Sequence, residues 1–265
     1  GAAIRRGRLQ DRAAPVEQMT DAYTVLARCY DRLTADVDYE KWADYVERHF
    51  RRWKRPIRTV AELGCGTGSL SRLLAERGYA VTAVDLSPDM LAVADQKCRG
   101  LGVRLVCQDM SRLALLEPAD AVISCLDSVN YVTRPAALKR TFQRVFRWLE
   151  PGGLFLFDVK TPAALEGADG QTYLDEDDGL FCVWRGAYSP KRRVCGYGLD
   201  LFVREEDGSW SRGGEYHEEY AYTPEELEAF LREAGFQAVR TYGDRTMRPP
   251  KEDAQRMFFA ARKDW

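Results

Sequence analysis

The sequence predicts an α/β fold: a doubly wound, seven-stranded, mostly parallel sheet with an N-terminal helical cover and an inserted antiparallel β-meander. Three observations predict it. Between residues 59 and 159, strand-sized apolar runs alternate with stretches of helical period, the pattern of parallel strands joined by right-handed crossovers. A glycine run, Gly64-x-Gly66-x-Gly68, closes the first of those strands and opens the next helix. From 167 to 222 the helical period gives way to alternating stretches separated by turn residues, and one helix and two strands follow.

The elements follow in order. Residues 1–17 read as a mobile basic arm, and 18–55 as a helical cover in which Trp42, Tyr45, Val46, His49 and Phe50 share a buried stripe that ends before Pro56. A core of 56–166 begins with the strand 59–63. The helix marked by Leu70, Leu73 and Leu74 stops at Gly78, and a second strand, 80–84, runs into Asp85. Ser87 is placed to cap the next helix, with Pro88 in its first turn. Strands at 103–107 and 121–125 precede an amphipathic helix at 135–149, which Pro151-Gly152-Gly153 halts before a fifth strand at 154–159. The insert, 167–222, shows alternation at 180–188, 194–203 and 210–222. Residues 223–265 complete the core. Thr223-Pro224-Glu225-Glu226 forms a capping box, Leu227, Phe230, Leu231 and Ala234 form the inner stripe, and Gly235 is the stop before strands at 237–242 and 257–261.

Composition excludes several classes. A formal net charge of −2 and a pI near 5.9 supply no global basic field for nucleic acid or an anionic membrane. No apolar stretch approaches the roughly 20 residues of a membrane helix, and residues 4–12 are too arginine-rich for a signal peptide. The seven cysteines form no C-x-x-C pair, so reduced thiols in a cytoplasmic protein are expected rather than disulfides. No His/Asp/Glu cluster has metal-ligand spacing, so no metal is expected. The basic runs 51–55 and 191–193 are expected to be a solvated helix face and a hairpin turn.

A strand, a glycine loop and a helix make a site for an anionic or carboxylate-bearing nucleotide ligand. Glycine lets the backbone approach, and the helix offers free N–H groups and a positive dipole end. With Ser69 after Gly68 the loop alone stays open to a dinucleotide, whereas Glu62 tilts against one; the absence of Gly-Lys-Ser/Thr excludes a P-loop. Asp85, 21 residues beyond Gly64 at the second strand's tip, suits a ribose. Asp109 after the third strand suits an adenine amine.

These residues carry a resemblance. Residues 60–68, Val-Ala-Glu-Leu-Gly-Cys-Gly-Thr-Gly, resemble motif I of the class I S-adenosylmethionine (SAM)-dependent methyltransferases, whose core is Rossmann-like. Val84-Asp85-Leu86-Ser87-Pro88-Asp89-Met90-Leu91 resembles their second motif, Gln108-Asp109-Met110 their third, and Leu149-Glu150-Pro151-Gly152-Gly153 the turn before their fifth strand. The resemblance implies that Glu62, Gly64, Cys65, Gly66 and Gly68 hold the methionine end. It implies further that Asp85 holds the ribose, Leu86 and Met90 flank the adenine, and Asp109 and Met110 read its edge. Ala27-Arg28-Cys29-Tyr30-Asp31-Arg32-Leu33 is similar to the opening of a small-molecule branch that includes YqeM-like proteins and sugar-amine N-methyltransferases, as is Cys125-Leu126-Asp127-Ser128-Val129-Asn130-Tyr131.

Methyl transfer from a sulfonium is an in-line displacement, so positioning dominates and a base is needed only for a protonated acceptor. Tyr30, Tyr131 and His217 are the candidates for the acceptor site, with Tyr23 and Tyr30 on the covering helix and Leu126 and Asp127 lining the cleft after the fourth strand. His49 is expected to be structural. The segment 126–131 departs from the Asn/Asp-Pro-Pro-Tyr/Phe signature of base and amide methylation. The expected function is methylation of N or O on a small molecule by a monomer or homodimer without nucleic-acid or membrane partners. RNA or protein methylation and non-catalytic SAM binding are the alternatives.

Overall fold

A computed structural model describes residues 22–264; the expected basic arm lies outside them. Two helices open the chain, α1 (Ala22–Leu33) and α2 (Tyr39–Arg52), the latter capped by the Asp38 side chain, which accepts from the Lys41 amide. The core follows with β1 (Thr59–Leu63), α3 (Ser69–Glu76), β2 (Ala80–Asp85), α4 (Pro88–Lys97), β3 (Arg104–Cys107), β4 (Ala119–Ser124), α5 (Pro135–Trp148) and β5 (Leu149–Lys160). Next come α6 (Pro162–Gly167) and four strands, β6 (Thr172–Asp177), β7 (Leu180–Ser189), β8 (Val194–Arg204) and β9 (Trp210–Tyr220). The chain ends with α7 (Pro224–Ala234), β10 (Ala238–Gly243) and β11 (Arg256–Arg262).

Seven strands form one sheet in the order β10-β11-β5-β4-β1-β2-β3. β11 runs antiparallel to both its neighbours, with Phe259 opposite Phe157, while β1 pairs in parallel with β2 and β4. The period-2 rule divides the core. On β5, Phe155 and Phe157 face α5 and α7, where Phe142, Leu227 and Phe236 pack; Leu154 and Leu156 face the opposite layer with Trp42, Tyr45, Phe50 and Leu74. The stripe expected on the second cover helix is buried in full, and His49 within it meets Tyr45 and Tyr242 edge-on. Burial and the nearby Arg52 and Arg48 push its imidazole down to about 4, in keeping with a structural residue.

The expected caps form. Ser87 Oγ accepts from the Met90 amide at 3.2 Å, and both halves of the Thr223–Glu226 capping box are present. Gly235 ends α7 at φ +110°, where a Cβ would sit 2.8 Å from the Phe146 ring. Among the described residues no disulfide joins any of the seven cysteines, six of which are buried.

The insert departs from expectation in its details. It is a separate antiparallel sheet of four strands, β6-β7-β8-β9, where alternation indicated three. β6 escaped because all six of its residues are exposed, so no apolar period marks it. The short α6 was not expected either. The last strand stops at Tyr220, and the buried Tyr222 instead sends its hydroxyl to the Val132 carbonyl. One face of this sheet receives α1: Leu26, Ala27 and Cys29 pack with Leu180, Cys182, Leu199 and Leu201, and with Met90 of α4. Helix α1 therefore lies between the second sheet and the carboxyl end of the first. No helix among the described residues is long and apolar enough to cross a membrane.

Candidate active site

The carboxyl ends of the parallel strands converge on one cleft. On its β1–β3 side the fixed groups are backbone. Gly64, Gly66 and Gly68 hold φ of +70°, +54° and +76°, a region costly for any other residue. The amides of Gly64 and Cys65 donate to the Val84 carbonyl at 2.8 and 3.1 Å, which locks the loop to the end of β2. A Cβ on Gly64 would lie 2.6 Å from Ser128 Oγ, whereas over Gly66 the nearest atom is Tyr30 Cε1 at 3.9 Å. The Tyr30 ring thus roofs the loop, at van der Waals distance from the position a Gly66 Cβ would take. Asp85 closes the loop from below: Oδ2 accepts from the Gly66 amide at 2.8 Å and Oδ1 from the Ser87 amide at 2.9 Å. Each oxygen keeps a second lone pair, and burial lifts the carboxyl above its ordinary range against those two hydrogen bonds.

The other cofactor candidates take distinct positions. Cys65 is buried in the loop, and Glu62 is buried behind it, accepting from the Ser71 hydroxyl of α3; burial pushes Glu62 up to about 8. Leu86, 70% exposed, stands open beside Asp85, while Met90 turns inward against α1. Asp109 caps the 3₁₀ turn Met110–Arg112 through the Ser111 amide at 2.8 Å. Met110 Cε lies 3.8 Å from the Cβ that Gly64 lacks.

On the β4–β5–β11 side the fixed groups are charged side chains. Leu126 and Asp127 follow β4 with φ of +58° and +53°, two successive non-glycine residues in the left-handed region. Such residues cost roughly 1–3 kcal/mol each and persist only where their surroundings hold them. Here the Asp127 amide donates to Asp158 at 3.0 Å, and its carboxylate accepts from Arg256 at 2.6 Å and pairs with Lys160 at 3.1 Å. Lys160 continues to Glu219 of β9 at 2.9 Å, and Arg256 also pairs with Asp158. The buried Asn130 sutures the same strands, donating to the Lys160 and Tyr220 carbonyls and accepting from the Lys160 amide.

Electrostatics follow from this arrangement. Burial would raise Asp127, but Lys160 and Arg256 outweigh it and hold the carboxyl low. Burial together with the Asp127 charge pushes Glu219 up to about 7, and burial pushes Asp158 up to about 6. Tyr131, 45% exposed, meets the His217 ring edge-on at 6.0 Å, and His217 Nε2 lies 2.7 Å from Glu215. Burial first, and the nearby Tyr39, Asp127 and Asp85, keep the Tyr30 phenol neutral. A cavity of about 650 Å³ opens beside Leu126 and Arg256, walled by Trp42, Tyr45, Arg48 and Arg245. Tyr23 lies in the first turn of α1, and its side chain falls outside those described.

Sequence reasoning missed Lys160, Glu219, Arg256 and Asp158. They come from three elements and carry no spacing signal; only the folded register of β5 with β11 and the reach of β9 bring them to Asp127.

Comparison with known proteins agrees with this geometry. Residues 60–153 match the methyltransferase domain family. The chain is 32% identical over 244 residues to "Putative methyltransferase YqeM" of Bacillus subtilis (strain 168), covering 91% of this chain and 97% of that one. A crystal structure of a SAM-dependent methyltransferase from Clostridium acetobutylicum superposes with a TM-score of 0.82 at 30% identity, over 92% of this chain and 99% of that chain. The sugar N-methyltransferase KedS8 from Streptoalloteichus shares the fold at a TM-score of 0.75 and 21% identity, over 100% and 99% of the two chains. Glycine loop, strand-end acids, sheet order and these likenesses agree: the chain belongs to the class I SAM-dependent methyltransferases.

Proposed function

We propose that this methyltransferase acts on N or O of a small-molecule acceptor held between Tyr30, Tyr131 and the second sheet. The observation that carries the proposal is how three arginines of the basic runs 51–55 and 191–193 are engaged. Arg55 pairs with Asp120 at 2.9 Å, while Arg192 pairs bidentately with Glu218 and Arg193 with Glu226. These three cations, engaged with the chain's own carboxylates, are not open to a phosphate backbone, which weighs against RNA. The sugar N-methyltransferase with the same fold along its whole length supports a small acceptor.

The residues present fit SAM. The left-handed glycine loop under Tyr30, the spare lone pairs of Asp85 and the exposed Leu86 beside it offer, in turn, a backbone seat for the methionine end, acceptors for ribose hydroxyls and an apolar wall for adenine. In this reading Met90, Met110 and Asp109 complete the adenine site. When bound, SAM supplies an electrophilic methyl group. Tyr30, roofing the loop with a neutral phenol, orients the acceptor and excludes water, while Tyr131 and His217 form the opposite wall. Leu126 and Asp127 set the floor.

The test uses SAM labelled in its methyl group, offered with metabolite extract, total RNA and a protein fraction. Label should appear among small molecules. Label found only in RNA or protein, or nowhere, would refute the proposal.

A further inference from the structure

We infer that Glu219 receives the methyl acceptor and that the acceptor presents an amine to it. This rests on the small-molecule proposal above and narrows it.

Residues 215, 217 and 219 of β9 share one face of the second sheet, opposite Leu199, Tyr197 and Cys195 of β8. Leu199 and Tyr197 belong to the cluster that packs on α1, so this face turns toward the cleft. Glu219 is 1% exposed; Oε1 accepts from Lys160 Nζ at 2.9 Å, and Oε2 has no hydrogen-bond partner among the described residues. A buried carboxylate oxygen left without a partner is costly, and a ligand donor would relieve that cost.

The charges single out the same residue. Asp127, Asp158 and Glu219 face two cations, Lys160 and Arg256. Asp127 engages both cations, and Asp158 is closed by Arg256 and the Asp127 amide. Asp158 Oδ1 and Glu215 Oε1 also have no hydrogen-bond partner among the described residues, but Glu215 faces His217 at 2.7 Å, and of the three acids around Lys160 and Arg256 it is Glu219 that stands on the second sheet. The Tyr197 ring, 5.2 Å from Lys160 Nζ, and Tyr131 surround it, and the Glu219 charge acts on both phenols. A carboxylate among aromatic faces favours a group that is, or becomes, cationic.

An amine fits the chemistry. Its nitrogen lone pair forms the new N–C bond as the C–S bond breaks and leaves its electron pair on sulfur. Positive charge thereby moves from sulfur to nitrogen, where Glu219 stabilises it. One N–H proton then passes to Oε2, and the product leaves as a neutral methylamine. Burial places Glu219 near neutrality, the range in which a proton acceptor works best.

The experiment incubates the protein with ¹³C-methyl SAM and metabolite extract and reads by NMR whether the new methyl sits on nitrogen or oxygen. Glu219→Gln leaves two acids facing two cations, so the fold should hold, and calorimetry gives the SAM affinity of each variant. N-methyl product is expected, with the rate falling by about 100-fold or more in Glu219→Gln. Glu219→Asp should keep a substantial part of the wild-type rate, and both variants should bind SAM within twofold of wild type. O-methyl product alone would overturn this inference and leave the small-molecule proposal standing. An unchanged rate in Glu219→Gln would remove Glu219 from the site. Absence of labelled small molecules would overturn both.

Discussion

The two sides of the cleft are built by different means. On the β1–β3 side the ligand-facing groups are main-chain amides and acids anchored to them: Gly66 and Ser87 hold Asp85, and Ser111 holds Asp109. On the β4–β5–β11 side the order comes from side-chain charges that cross from one element to another, as in Asp127 to Arg256 and Lys160 to Glu219. Backbone geometry serves a ligand that never changes. Side-chain networks can be rebuilt one substitution at a time, which suits the half we propose receives the acceptor.

If that contrast holds, the charged side should be the more fragile. Arg256→Ala strips the cation from the buried Asp158 and leaves the buried Asp127 with Lys160 alone, and should cost roughly 3–5 kcal/mol in urea denaturation. A loss under about 1 kcal/mol would show that the network is not what holds this side. Gly64→Ala forces an L-residue to φ +70° and drives its Cβ into Ser128, so about 3 kcal/mol should go, together with SAM binding. Retained SAM binding would show that the loop geometry is dispensable.

Acidity separates the sides further. Glu62, pushed up to about 8, and Glu219, up to about 7, both stand above the ordinary 4.5. Folded, they hold protons that the unfolded chain releases. Their contribution is therefore complete below about pH 4.5 and is lost as pH rises through 7 and 8, each acid giving up about 1.4 kcal/mol for every pH unit crossed on the way. Asp127, held low by its cations, acts in the opposite sense and loses its share only in acid, below its ordinary 3.8. Denaturation midpoints should thus be higher at about pH 5.5 than at about pH 8.5, and Glu62→Gln should shrink the gap. An equal gap in that variant would show Glu62 to be ionised in the folded chain. The smallest effect concerns neither side: Thr223→Ala removes the α7 cap for about 1 kcal/mol, read as a lower midpoint with SAM affinity unchanged.

Legibility in the sequence follows the same division. Strands, caps and the glycine loop are local: Ser87 finds the Met90 amide three residues away, and Gly64 to Gly68 need only their own φ angles. Such features survive reading one residue at a time. Arg256 and Asp127 lie 129 residues apart and meet only because β11 inserts antiparallel beside β5. The exposed β6 was invisible for a related reason: its six residues bury nothing, and pairing with β7 defines it. Tyr30 and Tyr131 were found as residue types at strand and helix ends. Their shared surroundings, Asp127 among them, became apparent only in the fold.

The central claim is that the glycine-loop side holds the cofactor independently of the charged side. Calorimetric titration of SAM into wild type, Asp85→Ala and Glu219→Gln tests it directly. Asp85→Ala should weaken SAM binding by about tenfold or more, through lost ribose acceptors and a loosened Gly66, while Glu219→Gln stays within twofold of wild type. Unchanged affinity in Asp85→Ala, or an equal loss in both variants, would contradict the account.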